Sequence, residues 1–331
     1  MRPTPNPSQR RPIAASILLA STLAASSAHA VSSAEFYTAA GYQYGRFEAR
    51  VQFAYGDGVI GSFFLWKDRS EQPGFFWNEL DFEKLGADCE LETNAFYGDP
   101  EAVHAQEHGA PADYCGTFHT YVYEWTPEYI AWLVDGVEIR RETGETAAAY
   151  AANTPDGMQI RFNIWPGDAT FGGNFDPAIL PVHQYINWVQ YSAYVDGAFQ
   201  VQWREDFSAA TVPSGWKTAT WGSPKNLSTH TAANVSFVDG YAVLSLTADD
   251  ATGPAGAAPL DPEDPGPPPV TSAPADPTAL STTSGTAEMP MSEMGTDGEG
   301  CSLRPPGTGK GAALALLALG CGLLLRRRRR A

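Results

Sequence analysis

Basic side chains are scarce in the body of this chain. Residues 31–250 carry 11 Lys and Arg against 30 Asp and Glu. A body of that sign repels polyanions, which argues against nucleic acid and acidic polymers and suits a neutral polymer. The six histidines show no metal-binding spacing. No phosphate loop and no Ser-His-Asp pattern is present. Helical periodicity is nearly missing; one short stretch, 146–152, carries it. The two apolar runs, 13–25 and 312–325, are short of the roughly 20 residues that span a bilayer. Only four of 331 residues are cysteine, and only Cys89 and Cys115 lie in the body.

What the chain does have is alternation. Stretches 44–53, 61–66, 118–125, 129–134, 137–140, 158–165 and 186–194 read as short strands. Turn residues separate them, drawn from 32 Gly and 26 Pro together with Asn and Asp. Asp135-Gly136 and Asp239-Gly240 are hairpin signals. The pattern runs on through 235–238 and 241–246 without a break in composition, so 31–250 reads as one all-β domain, a sandwich or jelly roll.

The ends differ. Residues 1–30 have a basic start, an apolar centre and the small-residue site Ala28-His29-Ala30, which predicts a signal peptide and export. Export implies an oxidising compartment, where Cys89 and Cys115 either pair or remain two thiols. Residues 251–300, rich in Pro, Gly, Ala, Ser and Thr, read as a disordered spacer. Residues 301–331 combine Cys301, the apolar run and Arg326 to Arg330. This tail resembles the C-terminal sorting tags of myxobacterial exported proteins; a plain membrane anchor is the alternative. Either makes the protein secreted or held at the cell envelope.

One stretch stands apart. In Trp77-Asn78-Glu79-Leu80-Asp81-Phe82-Glu83, alternation puts Leu80 and Phe82 on one face and Glu79, Asp81 and Glu83 on the other. Three carboxyls on one face repel, which costs stability and raises at least one pKa. A solvated acidic strand is the plain reading. A pair of acids with split pKa values, one ionised and one protonated, is what glycosidic cleavage needs.

The flanking segments carry a resemblance. Tyr44-Gly-Arg-Phe-Glu-Ala-Arg50, Ser62-Phe-Phe-Leu-Trp66, Glu79 to Glu83 with Leu85-Gly86, Phe118-His-Thr-Tyr121, Arg161-Phe-Asn-Ile-Trp165 and Ile186-Asn-Trp188 stand in the order of glycoside hydrolase family 16. The body resembles the lichenase-type β-glucanases of that family. The stretch 206–246, which comes first in most members, comes last here, so it looks like the circularly permuted form. The resemblance implies a concanavalin-like jelly-roll sandwich of two curved antiparallel sheets. It implies Glu79 as nucleophile, Asp81 as electrostatic helper and Glu83 as general acid/base. Like charge from Glu79 and Asp81 would hold the proton on Glu83. The ungapped spacing 79-81-83 is similar to lichenases and to xyloglucan and chitin–glucan transferases, and differs from laminarinases.

By the same resemblance the cleft takes Phe64, Trp66, Glu92, Asn94, Arg161, Asn163, Trp165 and Trp221. Core packing is the alternative for each Trp, and is the expectation for Trp125, Trp132, Trp188 and Trp203. Glu92 replaces a common Gln, a fourth acid that would shift specificity or pH optimum. Phe171 stands where permuted relatives carry a second Trp. A structural calcium, not needed for the chemistry, would sit at Asn187, Asp206 and Gly240, with a plain turn cluster as the alternative. The expected protein is a monomeric retaining endo-β-glucanase acting on neutral mixed-linkage 1,3-1,4-β-glucan. A transglycosylase on the same fold and an inactive lectin-like module are the competing expectations.

Overall fold

A computed structural model describes residues 31–86, 90–98, 101–108 (backbone only), 114, 116–249 and 251–262. The expected signal peptide, most of the spacer, the C-terminal tag, Cys89 and Cys115 lie outside the described residues. The elements in chain order are β1 (Val31–Thr38), β2 (Gly45–Gln52), β3 (Val59–Trp66), β4 (Trp77–Leu85), β5 (Glu90–Gly98), β6 (Glu101–His108), β7 (His119–Trp125), β8 (Tyr129–Val134) and β9 (Val137–Thr143). Then come α1 (Glu145–Asn153), β10 (Gln159–Pro166), β11 (Val182–Val195), β12 (Ala198–Glu205), β13 (Trp216–Thr218), β14 (Thr229–His230), β15 (Val235–Val238) and β16 (Tyr241–Ala248).

Strand pairing runs β6-β5-β4-β3-β10-β1-β16-β11-β2-β7-β8-β9. It folds into two layers. The front sheet is β6 to β1 and the back sheet β16 to β9. β1 joins them, pairing β10 through Ala34 to Tyr37 and β16 through Val31 and Ser32. This is the expected all-β sandwich, and the alternation explains it. Phe36, Phe63, Leu65, Leu80, Phe82, Ile160, Phe162 and Ile164 of the front sheet meet Phe47, Tyr121, Tyr123, Trp125 and Trp132 of the back sheet in one core. Each buried large side chain of that kind contributes about 1.5–3 kcal/mol. The Asp135-Gly136 and Asp239-Gly240 turns have both central residues at positive φ (49° and 78°; 53° and 81°), the geometry that matches strand twist.

Polar pegs from the back layer hold the underside of β4. Tyr123 Oη donates to Phe63 O and Leu80 O at 2.7 and 3.1 Å, and Trp132 Nε1 to Asp81 O at 3.1 Å. From α1, Tyr150 Oη donates to Glu79 O and Phe96 O at 2.6 and 2.8 Å. The backbone of the acidic strand is thus fixed by hydrogen bonds at successive carbonyls.

The structure adds one strand and changes two expectations. Residues 101–108, not among the stretches read as strands, form β6, which completes the edge of the front sheet beside β5. Trp188 is buried outside the main core. A bulge in β11 between Ile186 and Trp188 flips the face of the residues after it, and the Arg204 guanidinium caps the ring at 4.1 Å from its centroid. Residues 251–262, placed in the disordered spacer, lie on the back sheet instead. Gly253 N donates to Asn234 Oδ1, Ala255 N to His183 Nε2, and Asp261 makes a two-pronged ion pair with Arg50 at 2.7 and 2.8 Å. Composition hid this because only one residue of the segment, Asp261, carries the buried charge.

Candidate active site

In an antiparallel ladder, directly opposite residues share a face. Register therefore assembles the site strand by strand. Glu83 stands opposite Ser62 and Glu92; Ser62 faces Asn163, and Asn163 faces Glu35. One step along, Asn94, Asp81, Phe64, Arg161 and Tyr37 form a second row. A third row holds Phe96, Glu79, Trp66 and Gln159. The three carboxyls of β4 lie in the middle of these rows, on the face turned away from the core.

The structure brings together every expected catalytic residue and the expected lining from β3, β5 and β10. Trp66, which sequence left between cleft and core, is on the site face, 5.2 Å from Trp77 and under the Arg161 guanidinium. Trp165 is on the same face but is covered by Phe171, stacked at 5.9 Å and 19°. Trp221 is 44% exposed and its Nε1 donates to Glu35 at 3.2 Å.

Four participants were not anticipated. Trp77 Nε1 donates to Glu79 Oε2 at 2.8 Å. Glu35 is buried, and it accepts from Arg161 at 2.8 Å and lies 3.4 Å from His230 Nε2. Gln159 accepts from Arg161, and Tyr37 lies under the same guanidinium at 4.6 Å. Alternation of Ser33, Glu35 and Tyr37 was the available signal for β1.

The electrostatics separate the three acids. Burial pushes Glu79 up to about 7, against the Trp77 hydrogen bond, a hydrogen bond with Asp81 and the Arg161 charge, which favour its anion. Asp81 is held well above the usual carboxylate range by burial and then by the charges of Glu79 and Glu83. The Glu79–Asp81 hydrogen bond raises Asp81 and lowers Glu79, as it does when Asp81 is the protonated donor. Glu83 is also raised well above its ordinary value, by burial, then Glu92, then Glu79; only the Asn94 amide at 2.9 Å opposes this. The push on Glu83 comes from Glu92 and then Glu79, rather than from Asp81 as expected. Glu79 is thus the acid best equipped to be an anion, while Asp81 and Glu83 are both pushed toward holding a proton.

Of the candidate metal ligands, Asn187 gives its amide to Asp261 at 3.0 Å and Asp206 accepts from Ser208 N at 3.1 Å. Gly240 is a turn glycine. Among the described residues no group of three His, Cys, Asp or Glu side chains could hold a metal. What these positions can offer a calcium is carbonyl oxygen and the one carboxylate of Asp206.

A family model described as glycosyl hydrolases family 16 matches residues 14–208. A β-glucanase of Fibrobacter succinogenes is 35% identical over 232 residues, 67% of this chain and 65% of that protein. A β-glucanase of Brevibacillus brevis is 31% identical over 153 residues, 46% of this chain and 56% of that one. The chain therefore spans less than two thirds of the length of these relatives. Among solved structures, a prokaryotic β-1,3-1,4-glucanase (lichenase) from a mouse hindgut metagenome is 26% identical, covering 49% of this chain and 79% of that one, with a TM-score of 0.40.

Proposed function

The chain belongs to glycosyl hydrolases family 16, and from that premise we propose that it is a retaining endo-β-glucanase that cleaves mixed-linkage 1,3-1,4-β-glucan. The observation that carries this reading is the row of three carboxyls on the open face of β4 with divided proton affinities. Glu79 attacks the anomeric carbon as its carboxylate, oriented by Trp77 and Asp81. Glu83 gives its proton to the departing glycosidic oxygen, then takes one from the water that releases the sugar from Glu79. Trp66, Phe64 and Trp221 offer apolar ring faces to sugars, and Arg161, Asn163, Asn94 and Glu35 offer hydrogen-bonding groups to hydroxyls. An uncharged substrate fits the acidic body.

Reducing-sugar release from barley β-glucan, laminarin, carboxymethylcellulose and xyloglucan tests this. The expected result is activity on barley glucan, with product of retained anomeric configuration by proton NMR, and a loss of at least about 10³-fold in Glu79→Gln. Inverted product would remove the double-displacement mechanism. A transglycosylase is the second reading, since the ungapped 79-81-83 spacing is shared by lichenases and transferases. Longer products on adding acceptor oligosaccharide would select it.

The same proposal includes a circular permutation. The adjacency of the two ends supports it: Val31 pairs with Ala248, so rejoining the chain elsewhere needs no rearrangement of the sheets. It also includes export by residues 1–30, tethering by 301–331 and a structural calcium at Asn187, Asp206 and Gly240.

A further inference from the structure

Glu92 is the acid that the two-carboxylate mechanism does not use. It stands directly opposite Glu83 in the β4–β5 ladder and on the same face, where opposed side chains come within about 4.5–5.5 Å at Cβ. Like charges in that relation disfavour joint ionisation. Among the described residues, the other groups around Glu83 do not offset this. On β4, Asp81 and Glu79 are acids. Asn94 of β5 and Ser62 of β3 are neutral, as is Asn163 beyond them on β10. On β6, Glu107 stands opposite Glu92 in register. The Arg161 guanidinium is two strands away and engaged with Glu35 and Gln159. The Lys84 ammonium lies on the other face of β4, donating to Leu85 O and Gly86 O.

We propose that Glu92 works through Glu83, as a positioning residue whose opposed carboxyl helps keep the catalytic proton on Glu83. This rests on the reading of Glu83 as the general acid. The physical cause is consistent with the ordering at Glu83, where Glu92 is the largest charge effect after burial. With Glu92 ionised, removing the proton from Glu83 places two anions face to face in a site that water reaches poorly. A neutral side chain at 92 lifts that penalty. The enzyme would then lose its acid at lower pH.

The experiment is the pH dependence of kcat/KM on barley β-glucan for the wild type, Glu92→Gln and Glu92→Asp, with folding checked by circular dichroism. The alkaline limb reports the acid of the free enzyme. In Glu92→Gln it moves down by about one pH unit, more than the acid limb moves, and Glu92→Asp restores part of the shift. An alkaline limb that overlays the wild type overturns the inference and leaves the hydrolase reading standing, as does a pH-independent rise in KM, the mark of a sugar contact. Should the wild type cleave no glucan, carbon-13 NMR titration of the Glu83 carboxyl, assigned with Glu83→Gln, still decides. A fall of about one unit in Glu92→Gln supports the coupling, and an unmoved titration ends it.

Discussion

Two buried polar clusters lie on opposite sides of this sandwich, and they are built on opposite rules. On the back sheet, Arg50 and Asp261 are both nearly buried and neutralise each other through two hydrogen bonds, with Asn187 donating a third to Asp261. On the front sheet, Glu79, Asp81, Glu83 and Glu92 crowd one face, and among the described residues the guanidinium near them is that of Arg161, itself shared with Glu35. The back cluster satisfies its charges and ties down a segment of chain. The front cluster leaves an excess of acid, so its members compete for protons. Compensated charge holds structure together; uncompensated charge costs stability and leaves groups ready to react.

The sharpest way to break the contrast is on the back. Asp261→Ala removes the two-pronged partner of the buried Arg50 charge and leaves it the longer contact to Asp135, 3.8 Å away. We expect a loss of about 3 kcal/mol of stability, read by urea unfolding at pH 7, with kcat on glucan unaltered. A loss below about 0.5 kcal/mol would mean that the ion pair is no more than a surface contact.

On the front, the sign reverses. Glu79 has a folded-state pKa raised from 4.5 to about 7. Its contribution to stability is fully present below about pH 4.5 and is lost as pH rises through about 7. Glu79→Gln never ionises there. It should therefore be inactive yet more stable than the wild type at pH 8, on the order of 1–3 kcal/mol, with no gain at pH 4. Equal stability at both pH values would show that burial of Glu79 carries no cost.

The smallest effect concerns the calcium proposal on the back. Chelation should lower the melting temperature, and calcium at about 100 times its dissociation constant should restore up to about 2.7 kcal/mol. A melting curve indifferent to chelator and calcium would leave Asn187, Asp206 and Gly240 as a turn cluster. The front cluster should not respond, since no step there uses the metal.

Much of the front was legible in advance. Period-two alternation in 77–83 placed Leu80 and Phe82 inward and the three acids outward, and Arg161, Asn163 and Trp165 alternated likewise on β10. These are properties of a single strand. Glu35 was missed because it earns its place through partners elsewhere, Arg161, 126 positions away, and Trp221, 186 positions away; Trp77 and Gln159 bond to Glu79 and Arg161 two positions along their own strands, so alternation was the signal that could have found them. Trp188 was misassigned because one bulge residue reverses the parity on which the reading depends. The strap at 251–262 was read as spacer because its anchor is one aspartate whose meaning comes from Arg50, 211 positions earlier.

By itself the sequence determined the β class, hairpin turns such as Asp135-Gly136, the inward and outward faces of regular strands such as β4 and β10, and the presence of three acids on one of them, because side-chain direction in a strand follows local backbone geometry. Only the tertiary structure decided which acid neighbours which. Register across β1, β10, β3, β4 and β5 set Glu92 against Glu83 and Trp66 beside Glu79. Proton affinity depends on burial and on charges within a few ångströms, and those distances exist only once strands far apart in the chain have paired.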